Sequence, residues 1–261
     1  MLSRPYLKIL MTMLCSTLSN FAFAEVEFQK LDYKDAKGHE YASLKLTGHI
    51  LDSDVSLFKR YIKQIHKEHL RLEDDSVVLN SHGGMGIPAV AIGRIIRKEH
   101  LSTLVPQDAI CNSACAYVLI SGVCRMALGE VKIHRSLHQG DEEMDRPVSV
   151  KENYKVIRKV IRDKFSFYRE MGAPDAMVWQ GINTPQWLIT SLSEEDKDLY
   201  GLFYAIPEEQ DLRYNRIARQ RKVSKFDLVE ILKDKYVELN PEDSSSEITN
   251  RVSCSEQLFL E

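Results

Sequence analysis

Several things are missing from this 261-residue sequence, and each absence removes a class of function. There is no excess of basic charge: 35 Lys and Arg face 38 Asp and Glu, a net charge of −3. No strongly basic face is therefore expected, and nucleic acid is not an expected partner. No Lys-Ser/Thr follows the glycine-rich turn at Gly83, so it is not a P-loop. Gly83, Gly84 and Gly86 also have the wrong spacing for a dinucleotide fingerprint. No histidine pair lies at zinc spacing around the cysteines, so neither a metal nor a cofactor is expected. The apolar run Ile9–Leu18 is too short for a comfortable transmembrane helix. The composition that remains, 44% hydrophobic and 28% charged, is that of a globular protein with one large domain or two small ones.

The first residues carry an address. Arg4 and Lys8 precede that apolar run, and Ala22-Phe23-Ala24 supplies small residues for cleavage. Basic, apolar, small is the order of a secretory signal peptide, so residues 1–24 are read as one, cleaved after Ala24. Export to the periplasm follows as an expectation, and the net charge then moves to −5 as Arg4 and Lys8 are lost. Cys111, Cys115, Cys124 and Cys254 remain in a compartment that permits disulfides. Four cysteines allow three full pairings. Cys111 and Cys115 are close enough to bridge across a turn, whereas a continuous helix would hold Cys115 and Cys124 too far apart. The favoured reading pairs Cys111 with Cys115 and leaves Cys124–Cys254 as a tether for the tail.

Strands and helices alternate along the next 180 residues or so. Glu25–Leu31 and Tyr41–Leu46 read as strands around a polar turn. Asp52-Ser53-Asp54 can cap a helix over Val55–His69, whose apolar residues fall at helical spacing. Ser76–Asn80 is a β-branched run suited to a buried parallel strand. It stops at Ser81-His82-Gly83-Gly84-Met85-Gly86, and a helix pattern follows over Ile87–His100. That order is a βαβ crossover. Leu101–Val105 and Val131–Ile133 read as further strands, the second ending at His134. Val148–Met171 is a long amphipathic helix whose Lys and Arg residues read as its solvated face. Thr184–Ile189 reads as extended, and Ser193-Glu194-Glu195-Asp196 as a capped short helix. Leu202–Ile206 reads as a last strand, and Tyr214–Tyr236 as a charged helix. Glycines and polar residues recur at strand C-termini, the edge where parallel α/β sheets bind ligands.

At the centre lies Ala109–Gly122, small and polar at first and then apolar from Ala114 to Ile120. A turn opening into a buried helix has this form, with Ser113 at the helix start. Ser113 is then an N-cap, satisfying an orphan N–H, or a nucleophile beside N–H groups able to hold an oxyanion.

These pieces resemble the Clp peptidase/crotonase superfamily, in particular its exported bacterial members. Leu79-Asn80-Ser81-His82-Gly83-Gly84 resembles that family's strand ending in Asn-Ser-Pro-Gly-Gly, with His82 in place of proline. Cys111-Asn112-Ser113-Ala114-Cys115 falls at the nucleophile turn, and Ile133-His134 at the strand end that supplies the general base. Leu192-Ser193-Glu194-Glu195 through Tyr200-Gly201-Leu202 resembles the helix, glycine and strand that close the core. The resemblance covers roughly Leu44–Ile206. It implies an α/β fold with a ClpP/crotonase-like repeated βαβ (spiral) core over 25–207, followed by a helical or partly disordered extension over 208–261.

The resemblance also implies a serine hydrolase, an endopeptidase acting on peptides or unfolded protein. Ser113 would be its nucleophile and His134 its base, with Gly84, Gly83 and the Ala114 N–H as the oxyanion hole. One departure stands out. The family's orienting aspartate would fall at Ile189 or Thr190, and neither is a carboxylate. Asp175, Asn183, Asp141 or a backbone carbonyl would have to substitute. The alternative is a catalytically inactive binding or scaffold protein. An acyl-CoA enzyme of the crotonase branch fits an exported chain poorly. Rings or stacked trimers of relatives imply a homo-oligomer, and the C-terminal extension is the expected site for a protein partner.

Overall fold

A computed structural model describes residues 25–34, 38–135, 150–185, 187–203, 205–206, 212, 214, 215, 218, 219 and 222–239. The segment read as a signal peptide, 1–24, lies outside them. Strand β1 (Glu25–Lys34) pairs antiparallel with β2 (Glu40–Ile50). Helix α1 (Asp52–Glu68) then carries the chain to β3 (Arg71–Gly84), parallel to β2. Helix α2 (Gly86–Lys98) leads on to β4 (Ser102–Val105).

At β3 the parallel sheet forks. Ser76–Val78 pair with Ser102–Leu104 of β4, whereas Ser81 pairs with Cys111 of β5 (Ile110–Asn112). Strand β4 continues the first branch to β6 (Arg125–Ala127), and β5 continues the second to β7 (Glu130–Ile133), all parallel. Between β5 and β6 runs the short helix α3 (Cys115–Leu119). Two-residue β8 (Thr190–Ser191) closes the second branch, antiparallel to β7. Repeated βαβ units on one long strand make this the α/β spiral core expected from the sequence. Helices α4 (Val150–Glu170), α5 (Asp175–Asn183) and α6 (Glu194–Leu199) follow. Helix α7 (Lys225–Leu239) has its own small cluster, Tyr214, Ala218, Leu228 and Leu232.

Burial explains the arrangement. Leu44, Leu46 and Ile50 of β2, Val77 and Leu79 of β3, and Ile92 and Ile96 of α2 are all fully buried. Each such side chain contributes about 1.5–3 kcal/mol relative to exposure. Helix α3 is apolar all round, with Cys115, Ala116, Val118 and Leu119 buried, so it lies inside the molecule. A helix end buried there needs donors for its last carbonyls. Arg97 of α2 supplies them, bonding the carbonyls of Ser121 at 3.0 Å, Gly122 at 3.2 Å and Ile120 at 3.4 Å. It also reaches the Met171 carbonyl at 3.0 Å, where the buried Arg125 donates too. Two guanidinium groups thus tie the end of α3 to the end of α4.

Several sequence expectations change. Helix α1 starts at Asp52 behind an N-cap at Leu51, and the Asp54 carboxylate accepts the Leu51 N–H at 2.7 Å instead of preceding the helix as its cap. β3 runs far beyond Ser76–Asn80 because it pairs with three neighbours along its length. Of the last strand expected over Leu202–Ile206, the described residues show one bridge, Ala205 to Cys124, while the Leu202 carbonyl accepts from the Ala127 N–H. Where Thr184–Ile189 is expected to be extended, the Leu188 N–H donates back to the Pro185 carbonyl at 2.9 Å, and pairing begins at Thr190.

Replacing Arg97 by alanine leaves these carbonyls without their donor, and the expected loss is about 1–3 kcal/mol of unfolding free energy. Urea denaturation checks it; a loss below about 0.5 kcal/mol, the range of an ordinary surface substitution, would contradict the tie.

Candidate active site

The site is built where β3 and β5 end side by side. Strand β5 stops at Asn112, and Ser113 turns into the left-handed region at φ 53°. That conformation costs a non-glycine residue about 1–2 kcal/mol and persists only where its surroundings impose it. Here they do. The Ser113 N–H donates to the Lys132 carbonyl at 2.8 Å, and its own carbonyl accepts from the Ala116 N–H at 3.0 Å. The Cys111–Cys115 disulfide closes the turn, as expected from the spacing. Cys124 is also a disulfide cysteine; Cys254, its expected partner, lies outside the described residues. Ser113 does not cap α3, whose N-cap is Ala114 with no side-chain capping bond. The capping alternative fails because the left-handed turn directs the hydroxyl elsewhere.

That direction is towards His134. Ser113 Oγ lies 2.7 Å from His134 Nε2. Nδ1 lies 3.0 Å from the Arg135 carbonyl. A carbonyl can only accept, so Nδ1 carries the proton and Nε2 of the neutral ring is left to accept from the serine hydroxyl. This is the tautomer that a general base needs. Burial lowers the His134 pKa from its ordinary value; the Arg135 carbonyl opposes this, and Lys164 adds a further lowering by repulsion.

Among the described residues no carboxylate bonds His134. Asp175 is taken by Arg169 at 2.8 Å, and Asp141 lies outside the described residues. Asn183 makes no bond to the ring. Of the substitutes considered from sequence, the structure provides the backbone carbonyl.

Gly83 and Gly84 differ in what they do. A Cβ on Gly83 would lie 2.5 Å from the Asn112 carbonyl oxygen, 2.8 Å from Ser113 Cβ and 3.0 Å from the Ala114 nitrogen. Its absent side chain is what lets the two strand ends touch. The Gly83 N–H donates to Ser81 Oγ at 3.1 Å, which removes it from the expected oxyanion donors. Buried Ser81 in turn donates to the Gly48 carbonyl at 2.7 Å, locking this strand end. Gly84, at φ 132°, lies against Ile50 and borders the cleft. The Ala114 N–H donates to no protein group among the described residues and borders the same cleft. Ala114 and Gly84 therefore remain the candidates on the oxyanion side.

The cleft, about 480 Å³ with its open mouth, is lined by Ser113, His134, Tyr117, Tyr168, Met177 and, less expectedly, Lys164. Sequence reasoning placed the basic residues of α4 on a solvated face. Lys164 instead faces the cleft, and burial pushes its pKa down to about 8. The signal was present: Val160, Lys164 and Tyr168 fall at i, i+4, i+8, and the flanking two are buried, so the lysine interrupts an apolar row. Burial also holds the Tyr117 and Tyr168 phenols neutral.

No protein-family model and no curated protein sequence matches the chain. Among solved structures it is similar to two forms of the 1510-N membrane-bound stomatin-specific protease. One is a serine-to-alanine mutant, 17% identical, with a TM-score of 0.43 over 60% of this chain and 74% of that one. The other is a lysine-to-alanine mutant in complex with a substrate peptide, 17% identical, with a TM-score of 0.40 over 60% and 70%.

Gly83→Ala is expected to destabilise the protein by clearly more than the roughly 1 kcal/mol of left-handed strain. Gly38→Ala is the control, since its φ is 82° but no atom lies within 4 Å of the added carbon. Thermal or urea unfolding of both variants checks this; equal losses would mean the strand ends do not touch.

Proposed function

We propose that the chain is an exported serine hydrolase, an endopeptidase for peptides or unfolded protein, with Ser113 as nucleophile and His134 as general base. One observation carries the reading: a strained, left-handed serine delivers its hydroxyl 2.7 Å from an imidazole nitrogen whose other nitrogen already bonds a carbonyl. A hydroxyl becomes a nucleophile when a base takes its proton as the new bond forms. His134 would take it at Nε2, and the Arg135 carbonyl would steady the imidazolium. The Ala114 N–H, with Gly84 on the facing strand end, would receive the oxyanion, and Nε2 would return the proton to the leaving amine.

A carbonyl is a weaker partner for imidazolium than a carboxylate, so slower turnover than in a full triad belongs to the reading. The same lack motivates a second one, a catalytically silent scaffold using this cleft or the C-terminal extension to hold a partner. The Cys111–Cys115 disulfide supports export, since such bonds persist in oxidising compartments. Assembly as a homo-oligomer remains part of the proposal, and sedimentation of the 25–261 chain tests it.

A fluorophosphonate probe with mass-spectrometric site mapping separates the two readings. The enzyme reading predicts a single adduct at Ser113, slowed on the order of 10⁴-fold in His134→Ala, and unfolded-protein hydrolysis abolished in Ser113→Ala. An unlabelled Ser113 in the folded protein favours the scaffold.

The pH profile is a further check. Burial and Lys164 both disfavour the imidazolium, so the acid limb should lie below the ordinary histidine value of about 6.5. Removing the positive charge in Lys164→Met favours the imidazolium and should shift that limb upwards in pH. A limb that stays put or moves down would contradict the coupling.

A further inference from the structure

Lys164 is a half-buried lysine that lines the cleft of Ser113 and His134. Buried charges in folded proteins are paired or hydrogen-bonded, because leaving water uncompensated costs several kcal/mol. Lys197 obeys this rule: it is 3% exposed and donates to the Gly129 carbonyl at 2.8 Å and to Glu194 at 2.6 Å. On α4 itself, Arg169 pairs with Asp175 and Arg162 with Asp163, both on the solvent side. Lys164 has no hydrogen bond or ion pair among the described residues. Its ammonium lies 6.0 Å from the centre of the Tyr117 ring, in the cleft that holds Ser113 and His134. A cation–π contact offsets part of a desolvation cost but supplies no acceptor for the three N–H groups.

The rest of the cleft wall is apolar or neutral. Ile133, Met177 and Val178 line it beside the two tyrosines. A ligand that satisfies both features carries an apolar side chain and an anionic oxygen within a residue or two of the bond offered to Ser113. We infer that Lys164 is a substrate-recognition residue that pairs with a carboxylate of the bound peptide, next to the scissile bond. This deepens the hydrolase reading and rests on it for the words substrate and scissile bond. The carboxylate belongs either to the C-terminus that cleavage leaves on the peptide product or to an Asp or Glu side chain; the pairing chemistry is the same.

Binding separates this claim from turnover. Full-length chain bearing Ser113→Ala is titrated by calorimetry with two matched pairs of probes. N-acetyl-phenylalanine against its amide reports on a terminal carboxylate. Acetyl-Phe-Asp-amide against acetyl-Phe-Asn-amide reports on a side-chain carboxylate. The proposal expects the acidic member of at least one pair to bind about tenfold or more tightly, as a charge-assisted pair does over a neutral one. The pair that discriminates names the source. The preference should weaken with added salt and vanish in both Lys164→Met and Lys164→Gln, each checked for an unchanged melting transition. Equal affinities within both pairs, binding of none of the probes, or a preference that survives loss of the lysine would overturn it. Ser113 chemistry plays no part in this readout. A failed titration leaves the nucleophile untouched, and an unreactive Ser113 leaves the carboxylate site standing.

Discussion

Two strand ends touch through bare backbone, and the candidate site hangs on that contact. With no side chain at Gly83, the end of β3 lies directly against Asn112, Ser113 and Ala114. The contact leaves Ser113 a narrow choice of conformation, and the one it takes is left-handed. The bond to the Lys132 carbonyl fixes the turn on one side, and the disulfide to Cys115 fixes it on the other. A disulfide closing so short a loop contributes only about 2 kcal/mol by chain entropy. That is comparable with the strain of a left-handed serine, so the bridge suffices to offset it locally. The fold thus uses a small global reserve to hold one side chain out of its preferred geometry.

A histidine positioned by its neighbour's carbonyl follows from the same architecture. Strand β7 pairs with β5 up to Lys132 opposite Asn112, so His134, just past the end of β7, arrives beside Ser113, just past the end of β5. The loop after α5 then fixes the exit of the chain, with the Arg135 N–H on the Thr184 carbonyl at 2.7 Å. With its N–H bonded to Thr184, Arg135 presents its carbonyl to Nδ1 at 3.0 Å. A carbonyl sets the tautomer without contributing a full negative charge. The electrostatics of the cleft lean the other way, with a half-buried ammonium at Lys164 and, among the described residues, no carboxylate in contact with the ring.

Much of this was legible in the chain because the signals are local. Gly83-Gly84 after a β-branched run, a serine before an apolar helix, a histidine after Ile133 and a Cys-x₃-Cys spacing each report on a turn or a strand end. The fork at β3 was not legible, since pairing partners of a long strand depend on contacts far apart in sequence. Neither was the strand Arg125–Ala127, three residues whose strand character comes from pairing with β4. Two site features were misread for a shared reason. The engaged Gly83 N–H and the inward Lys164 both depend on what packs opposite, and residue type alone favours the commoner outcome, a free turn donor and a solvated lysine.

The claim on which the account rests is that His134 is neutral, protonated at Nδ1 and open at Nε2 towards Ser113. Nitrogen NMR of the ¹⁵N-imidazole-labelled chain at pH 7.5 measures this directly. The account predicts a protonated Nδ1 and an unprotonated, hydrogen-bond-accepting Nε2, whose resonance moves in Ser113→Ala while the tautomer stays. A proton on Nε2, or a doubly protonated ring at that pH, would contradict it.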